Sequence, residues 1–161
     1  MRCAAVFFIA AIFAPFAVAK DWMIVGRVVS VTDGDTVVVL DREKAEHKVR
    51  LAGIDAPEKA QAYGARSKEN LSRLAFNRTV QAHCSKRDRY GREVCKVMRD
   101  TLDVNLEQVK LGLAWWYREY ANEQTAEDRA VYSQAEDEAR AYRRGLWKDP
   151  SPIAPWAWRR Q

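Results

Sequence analysis

Between Trp22 and Gly53, three runs rich in β-branched residues follow one another with only short turns between them. No other feature constrains the fold as much. Trp22 to Val31 reads as a first strand and Asp33-Gly34 as a tight turn; Thr36 to Leu40 (Thr-Val-Val-Val-Leu) returns, and His47 to Gly53 alternates as a third strand. Strands joined this closely pair as antiparallel neighbours, which makes a meander. Tyr63 to Phe76 then places Ala65, Leu71, Leu74 and Ala75 at helical spacing. Val80 to Cys84 and Glu93 to Met98 form a second hairpin with the polar stretch Ser85 to Arg92 at its tip. Asp103 caps a helix running to Lys110, which Gly112 stops, and Asn122 to Arg144 is a longer charged helix closed by Gly145. Five strands with a helix between the third and fourth meet the requirement of a small Greek-key barrel. The expected class is α+β, a five-stranded OB-fold Greek-key β-barrel with three α-helices.

The ends of the chain read differently from its middle. Cys3 to Ala19 carry no charge, follow Arg2 and end in Ala17-Val18-Ala19 before Lys20. A basic start, an apolar stretch and a small-x-small site describe a secretory signal peptide cleaved after Ala19. An uncleaved anchor is the alternative, but this stretch contains Pro15 and is shorter than the ~20 residues of a spanning helix. The expected organisation is a signal peptide over 1–19, a domain over 20–148 and a Pro/Trp-rich tail over 149–161. Three prolines in that tail (Pro150, Pro152, Pro155) predict a non-helical segment, and Trp156 and Trp158 predict that it packs back on the domain. The expected location is secreted or periplasmic, as a monomer without stable membrane association.

Of the 161 residues, 27 are Lys or Arg and 22 are Asp or Glu. The signal peptide removes one arginine from a net +5, and a mildly basic domain suits a polyanionic partner. The two cysteines left, Cys84 and Cys95, suit one disulfide in an exported chain. If they face each other, Val80, Ala82 and Val97 share their side of the hairpin while Gln81, His83 and Lys96 take the other. Two reduced core thiols are the alternative.

Three charged segments carry residues that local structure does not need. They are Asp33-Gly34-Asp35-Thr36, then Arg50-Leu51-Ala52-Gly53-Ile54-Asp55-Ala56-Pro57-Glu58, then Asp88-Arg89-Tyr90-Gly91-Arg92. Asp35 opens a strand against β-propensity. Taken together they hold the parts for phosphodiester hydrolysis. Two or three carboxylates offer hard oxygens to Ca²⁺ or Mg²⁺. A further carboxylate can take a proton from water. Two arginines can grip phosphate oxygens and the charge of the transition state. His47 and His83 lie in strands away from these segments, which argues against histidine-based hydrolysis and against a zinc site.

The three segments, in this order, resemble the hallmarks of the staphylococcal nuclease (thermonuclease) family. The likeness continues through Asn105, Gly112-Leu113-Ala114 and Gly145-Leu146-Trp147. The resemblance implies an OB-fold barrel with three helices, Ca²⁺ as cofactor, and DNA and RNA as substrates cut to 3′-phosphate products. It implies Asp35 and Asp55 as Ca²⁺ ligands, with the backbone carbonyl of Ala56 where the family often has Thr. It implies Glu58 as the general base and Arg50 and Arg92 as the phosphate-binding arginines. Arg89 and Tyr90 match positions beside the 3′-phosphate of a bound nucleotide. Tyr120, and Tyr117 one position out of register, fall where the family stacks aromatic residues on bases; Trp115 and Trp116 divide evenly between that role and the core. The loop between Glu58 and Tyr63 is shorter than in the staphylococcal enzyme, and the cysteine pair and Trp tail depart from it. A non-catalytic OB module that binds nucleic acid, and a structural calcium-binding protein, are the competing classes. The first is disfavoured because Asp35, Arg50, Asp55, Glu58 and Arg92 are all present, and the second leaves both arginines without a purpose.

Overall fold

The computed structural model describes residues 21–161. The signal-peptide reading of residues 1–19 therefore lies outside the described residues. Strands β1 (Trp22–Val31), β2 (Thr36–Asp41) and β3 (Glu46–Leu51) form the antiparallel meander, followed by the two-residue β4 (Ile54–Asp55). Helix α1 (Gly64–Ala75) leads to the hairpin β5 (Thr79–Arg87) and β6 (Glu93–Arg99). A short β7 (Leu102–Asp103), α2 (Val104–Lys110) and β8 (Trp115–Trp116) precede α3 (Ala126–Ala141) and a last turn of helix, α4 (Pro155–Trp158). Hydrogen bonding runs β3-β2-β1-β5-β6, and a parallel pairing of β3 with β6 closes the ring. This is the five-stranded barrel anticipated from the sequence, with helices packed around it.

Strand alternation builds the core. In β1, Ile24, Gly26 and Val28 point inward; a bulge between Val28 and Ser30 then shifts the phase, so that Val31 is the next buried residue. Val37, Val39, Val49, Leu51, Val80, Ala82 and Val97 complete the interior. Cys84 pairs with Cys95 across the hairpin and the two are joined in a disulfide on the same apolar face. Gly26 is required by proximity, because a Cβ there would stand 2.3 Å from the carbonyl oxygen of Leu40.

The helices depart from the pattern in instructive ways. The inner face of α1 is Gly64, Ser67, Asn70, Leu71 and Ala75, so the polar Ser67 and Asn70 replace the expected Ala65, which is exposed. Their burial is satisfied by Gln108 of α2, whose Oε1 accepts from Asn70 Nδ2 at 2.6 Å. Helix α2 begins as expected, with Asp103 Oδ1 accepting from the Leu106 N–H at 3.0 Å. Helix α3 starts later than Asn122, because Arg118–Glu123 forms a separate 3₁₀ stretch and Thr125 caps the helix through Asp128 N–H. The tail is not helix-free: Pro155 occupies the first position of α4, where its missing N–H has no intrahelical partner to lose.

Candidate active site

The turn between β1 and β2 is closed by a hydrogen bond from Thr32 N–H to the Thr36 carbonyl, 2.9 Å. Gly34 lies outside the left-handed region; its need is steric, since a Cβ would fall 1.9 Å from Ser67 Oγ and 2.7 Å from Ala56 Cβ. Gln108 fixes the turn from below, its Nε2 donating to the Gly34 carbonyl at 2.6 Å and to the Ser67 carbonyl at 3.0 Å. Asp35 is thereby held at the start of β2, buried, with Oδ1 accepting from Thr36 Oγ1 and Oδ2 from the Ala56 N–H at 2.8 Å.

Arg50 opposes Thr36 in the β2–β3 register, one residue from Asp35. Its Nη1 donates to the Leu51 and Ile54 carbonyls at 2.8 and 2.9 Å, which wraps the chain around the guanidinium between β3 and β4. Its Nη2 then lies 3.2 Å from Asp35 Oδ2 and 2.9 Å from Asp55 Oδ1. One nitrogen thus joins two buried carboxylates from different elements. Asp55 is fixed by the pairing of β4 with β8, opposite Trp115. Burial pushes its carboxyl above the usual range, against the pull of Arg159 and Arg50. Asp33, read from sequence only as a turn residue, is pushed up to about 6 by burial and by Asp35.

Glu58 lies at the rim with its side chain 40% exposed. Gln61 braces the loop that follows, its Oε1 accepting from the Glu58 N–H at 3.0 Å. The basic turn is placed by barrel closure, because the parallel register sets Arg50 opposite Val94, two residues after Arg92. Arg92 Nε donates to Asp88 Oδ2 at 2.7 Å, and burial of Asp88 is outweighed by hydrogen bonds from Arg92 and Tyr90 that hold its carboxyl below its usual value. The Arg89 and Arg92 guanidinium carbons lie 4.9 and 5.4 Å from the centroid of the exposed Tyr90 ring.

Beyond β8, the Tyr117 N–H donates to the Gly53 carbonyl at 2.9 Å, which seats the ring beside the Asp55 loop. Tyr117 and Tyr120 meet edge to face at 4.8 Å. Trp115 is core, packed edge-on against Trp147 at 4.4 Å, and Trp116 is held through Nε1 to Gln124 Oε1. The structure therefore gathers Asp35, Arg50, Asp55, Ala56 and Glu58 into one cluster, with Arg92 in the turn that leads into the adjoining strand β6 and Tyr117 on its flank. Arg89, Tyr90 and Tyr120 stand further out and, among the described residues, make no hydrogen bond or ion pair with Asp35, Asp55 or Glu58. Sequence reading missed Gln108, Gln61 and the C-terminal Arg159. Each acts through a tertiary contact that leaves no periodic or motif signal.

A small OB barrel that opposes clustered carboxylates to arginines at one end of its closing strands defines a phosphodiester-handling class. The family described as staphylococcal nuclease homologue matches residues 48–149. An uncharacterized endonuclease of Haemophilus influenzae is 44% identical over 135 residues, which span 84% of this chain and 72% of that protein. A micrococcal nuclease of Shigella flexneri is 40% identical over 144 residues, covering 84% of this chain and 80% of that protein. A protein ParB of Escherichia coli is 39% identical over 145 residues, 84% and 79% of the two chains. The chain belongs to the staphylococcal nuclease family and is by that membership a nuclease-type hydrolase.

Proposed function

We propose that this chain is an exported, Ca²⁺-dependent nuclease that hydrolyses DNA and RNA to 3′-phosphate and 5′-hydroxyl ends. The observation that carries the reading is the meeting of Asp35 and Asp55 at one nitrogen of Arg50, with Glu58 on the same rim. No group of three or more His, Cys, Asp or Glu forms a metal cage among the described residues. The available donors are two carboxylates and the Ala56 carbonyl, all hard oxygen. Such a set fits Ca²⁺, which tolerates irregular six-to-eight coordination completed by water, better than strictly octahedral Mg²⁺. When bound, the cation supplies positive charge to a phosphate oxygen.

The remaining chemistry belongs to the chain. Arg50 and Arg92 grip non-bridging phosphate oxygens and favour the added charge of the five-coordinate transition state. Glu58, exposed to solvent at the rim, takes a proton from water as its oxygen bonds to phosphorus. The bond to the 5′ oxygen breaks and that oxygen takes a proton from solvent water, leaving as the 5′-hydroxyl. Arg89 and Tyr90 border the 3′-phosphate, and the exposed Tyr120 offers a face to the bases, whereas one face of Tyr117 is taken by the Trp156 ring stacked on it. Export is supported by Ala17-Val18-Ala19 and agrees with a disulfide between Cys84 and Cys95. The mature chain is then a domain over 20–148 with a tail over 149–161.

The test incubates mature protein with plasmid and with RNA, in Ca²⁺, in Mg²⁺ and in chelator. Cleavage in Ca²⁺, with little in Mg²⁺ and none in chelator, is expected. Binding without cleavage would make the chain an OB binding module. Intact mass of native material should give a start at Lys20 and no free thiol.

A further inference from the structure

A guanidinium from the far end of the chain sits on the carboxylates of this site. Arg159 Nη2 lies 2.8 Å from Asp55 Oδ2, while Nη1 lies 3.3 Å from Asp55 Oδ1 and 2.6 Å from Glu58 Oε1. Both oxygens of Asp55 are thereby engaged by Arg159, and Oδ1 by Arg50 as well. Asp55 is almost fully buried, whereas the Arg159 side chain is 43% exposed and reaches the site from outside.

The arm that carries Arg159 is separately anchored. Gln61 Nε2 donates to the Ile153 carbonyl at 2.6 Å, so the residue bracing Glu58 also holds the tail. Pro155 is buried, and Trp156 lies parallel to Tyr117 (4° between planes, centroids 5.3 Å apart) and edge-on to Trp115 at 5.5 Å. One short segment therefore covers the carboxylates with a cation and the flanking tyrosine with an aromatic ring.

We propose that Arg159 is a built-in competitor of the catalytic cation, which must displace its guanidinium from Asp55 and Glu58 before the site can work. The inference rests on the cation reading of Asp35 and Asp55 given above. A dication needs the lone pairs that the guanidinium now uses, and at that distance the two positive centres repel. By linkage, whatever favours the Arg159 contact opposes the cation by the same factor. Trp156 and the Gln61–Ile153 bond hold the arm in place, so release requires only that the Arg159 side chain swing away. The result is a higher cation threshold, towards the weak range of extracellular calcium modules.

Calorimetric titration of Ca²⁺ into the full mature chain and its R159Q, R159K and D35N variants tests this. R159Q should bind Ca²⁺ about tenfold more tightly than wild type. R159K, which keeps the charge but loses the two-point fork, should fall between them. Half-maximal cleavage should move to lower Ca²⁺ in R159Q by a similar factor. Equal affinity in wild type and R159Q, with D35N defective, overturns the competition and leaves the cation reading intact. D35N binding like wild type overturns the cation reading itself. Reduced turnover of R159Q at saturating Ca²⁺ with unchanged affinity makes Arg159 a positioning residue for Glu58, and equally overturns the competition.

Discussion

Around Asp35 and Asp55 most of the braces come from other elements, whereas at the basic hairpin tip the braces come from the turn itself. Asp35 is held by the Ala56 N–H, by Arg50 of β3 and, through Gly34, by Gln108 of α2. At the tip, Asp88 alone accepts from the Tyr90 and Arg92 N–H groups and from Arg92 Nε, and its carbonyl takes the Gly91 N–H. The first region is woven into the barrel and the second is clipped onto it. Substitutions in the two regions should therefore fail in different ways: at the carboxylates, fold and chemistry are lost together; at the tip, chemistry alone.

Arg50→Ala should show the largest effect. It leaves Asp35 and Asp55 buried beside each other with one guanidinium fewer and frees the Leu51 and Ile54 carbonyls. Removing one member of a buried ion pair costs about 3–5 kcal/mol. Denaturant unfolding should read a loss of that order, alongside loss of cleavage. An Arg50→Ala protein as stable as wild type would show that Arg50 serves substrate only, and would erase the contrast between the regions.

Arg92→Lys sharpens the comparison from the other side. Lysine keeps the charge but cannot present the planar fork. Loss of one such donor to a transition state lowers turnover by ~10²–10³. Unfolding should barely change, because among the described residues the polar partner of the Arg92 side chain is Asp88 of its own turn and its cation–π partner is the Tyr90 ring. Turnover within a few-fold of wild type would reduce Arg92 to a substrate-positioning role.

The same contrast explains what was legible in the sequence. The meander, the bulge-free part of β1 and the hairpin were readable because strand alternation is local. Asp35, Arg50, Asp55 and Glu58 stood out because local structure did not require them. By contrast, Ser67 and Asn70 face inward only because Gln108 waits across the helix interface, and no periodicity marks such a partner. The one-turn helix that Pro155 opens is masked in the sequence by its prolines, because Pro is excluded from a helix interior but fits its first position. Arg159, separated from Asp55 by 104 residues, sits in a run of Pro, Ala and Trp with no motif to mark it.

Replacing Cys84 and Cys95 by alanine probes whether the tip depends on the hairpin beneath it. The bond spans 11 residues and encloses the whole basic turn. Loop closure of this size contributes ~3 kcal/mol in the chain-entropy model. Thermal unfolding should record a drop of that order, while cleavage at low temperature persists because Asp88 still folds the turn. Loss of cleavage in a folded double variant would show that the tip is not self-contained.

The smallest effect is expected at the seam between the regions, where His47 bonds Asp41 Oδ2 at 2.9 Å through Nε2 and faces Glu93 Oε1 at 3.4 Å through Nδ1. Glu93 also accepts from Arg87 Nη2 at 3.0 Å, so His47 ties the outer barrel strands to the base of the basic hairpin. The hydrogen bond that His47 donates to Asp41 raises the pKa of His47 above its ordinary 6.5, against partial burial and with help from Glu93. A group whose folded pKa is raised gives its full stabilisation below the unfolded value and loses it as pH climbs through the folded one. The His47 brace is therefore complete below about pH 6.5 and fades above it. Both side chains keep some contact with water, so the change should be small. Urea unfolding of wild type against His47→Gln across pH 5.5 to 8.5 should give curves that converge as pH rises. Curves that stay parallel would remove the charged His47 from the seam and leave the hairpin attached to the barrel by strand pairing alone.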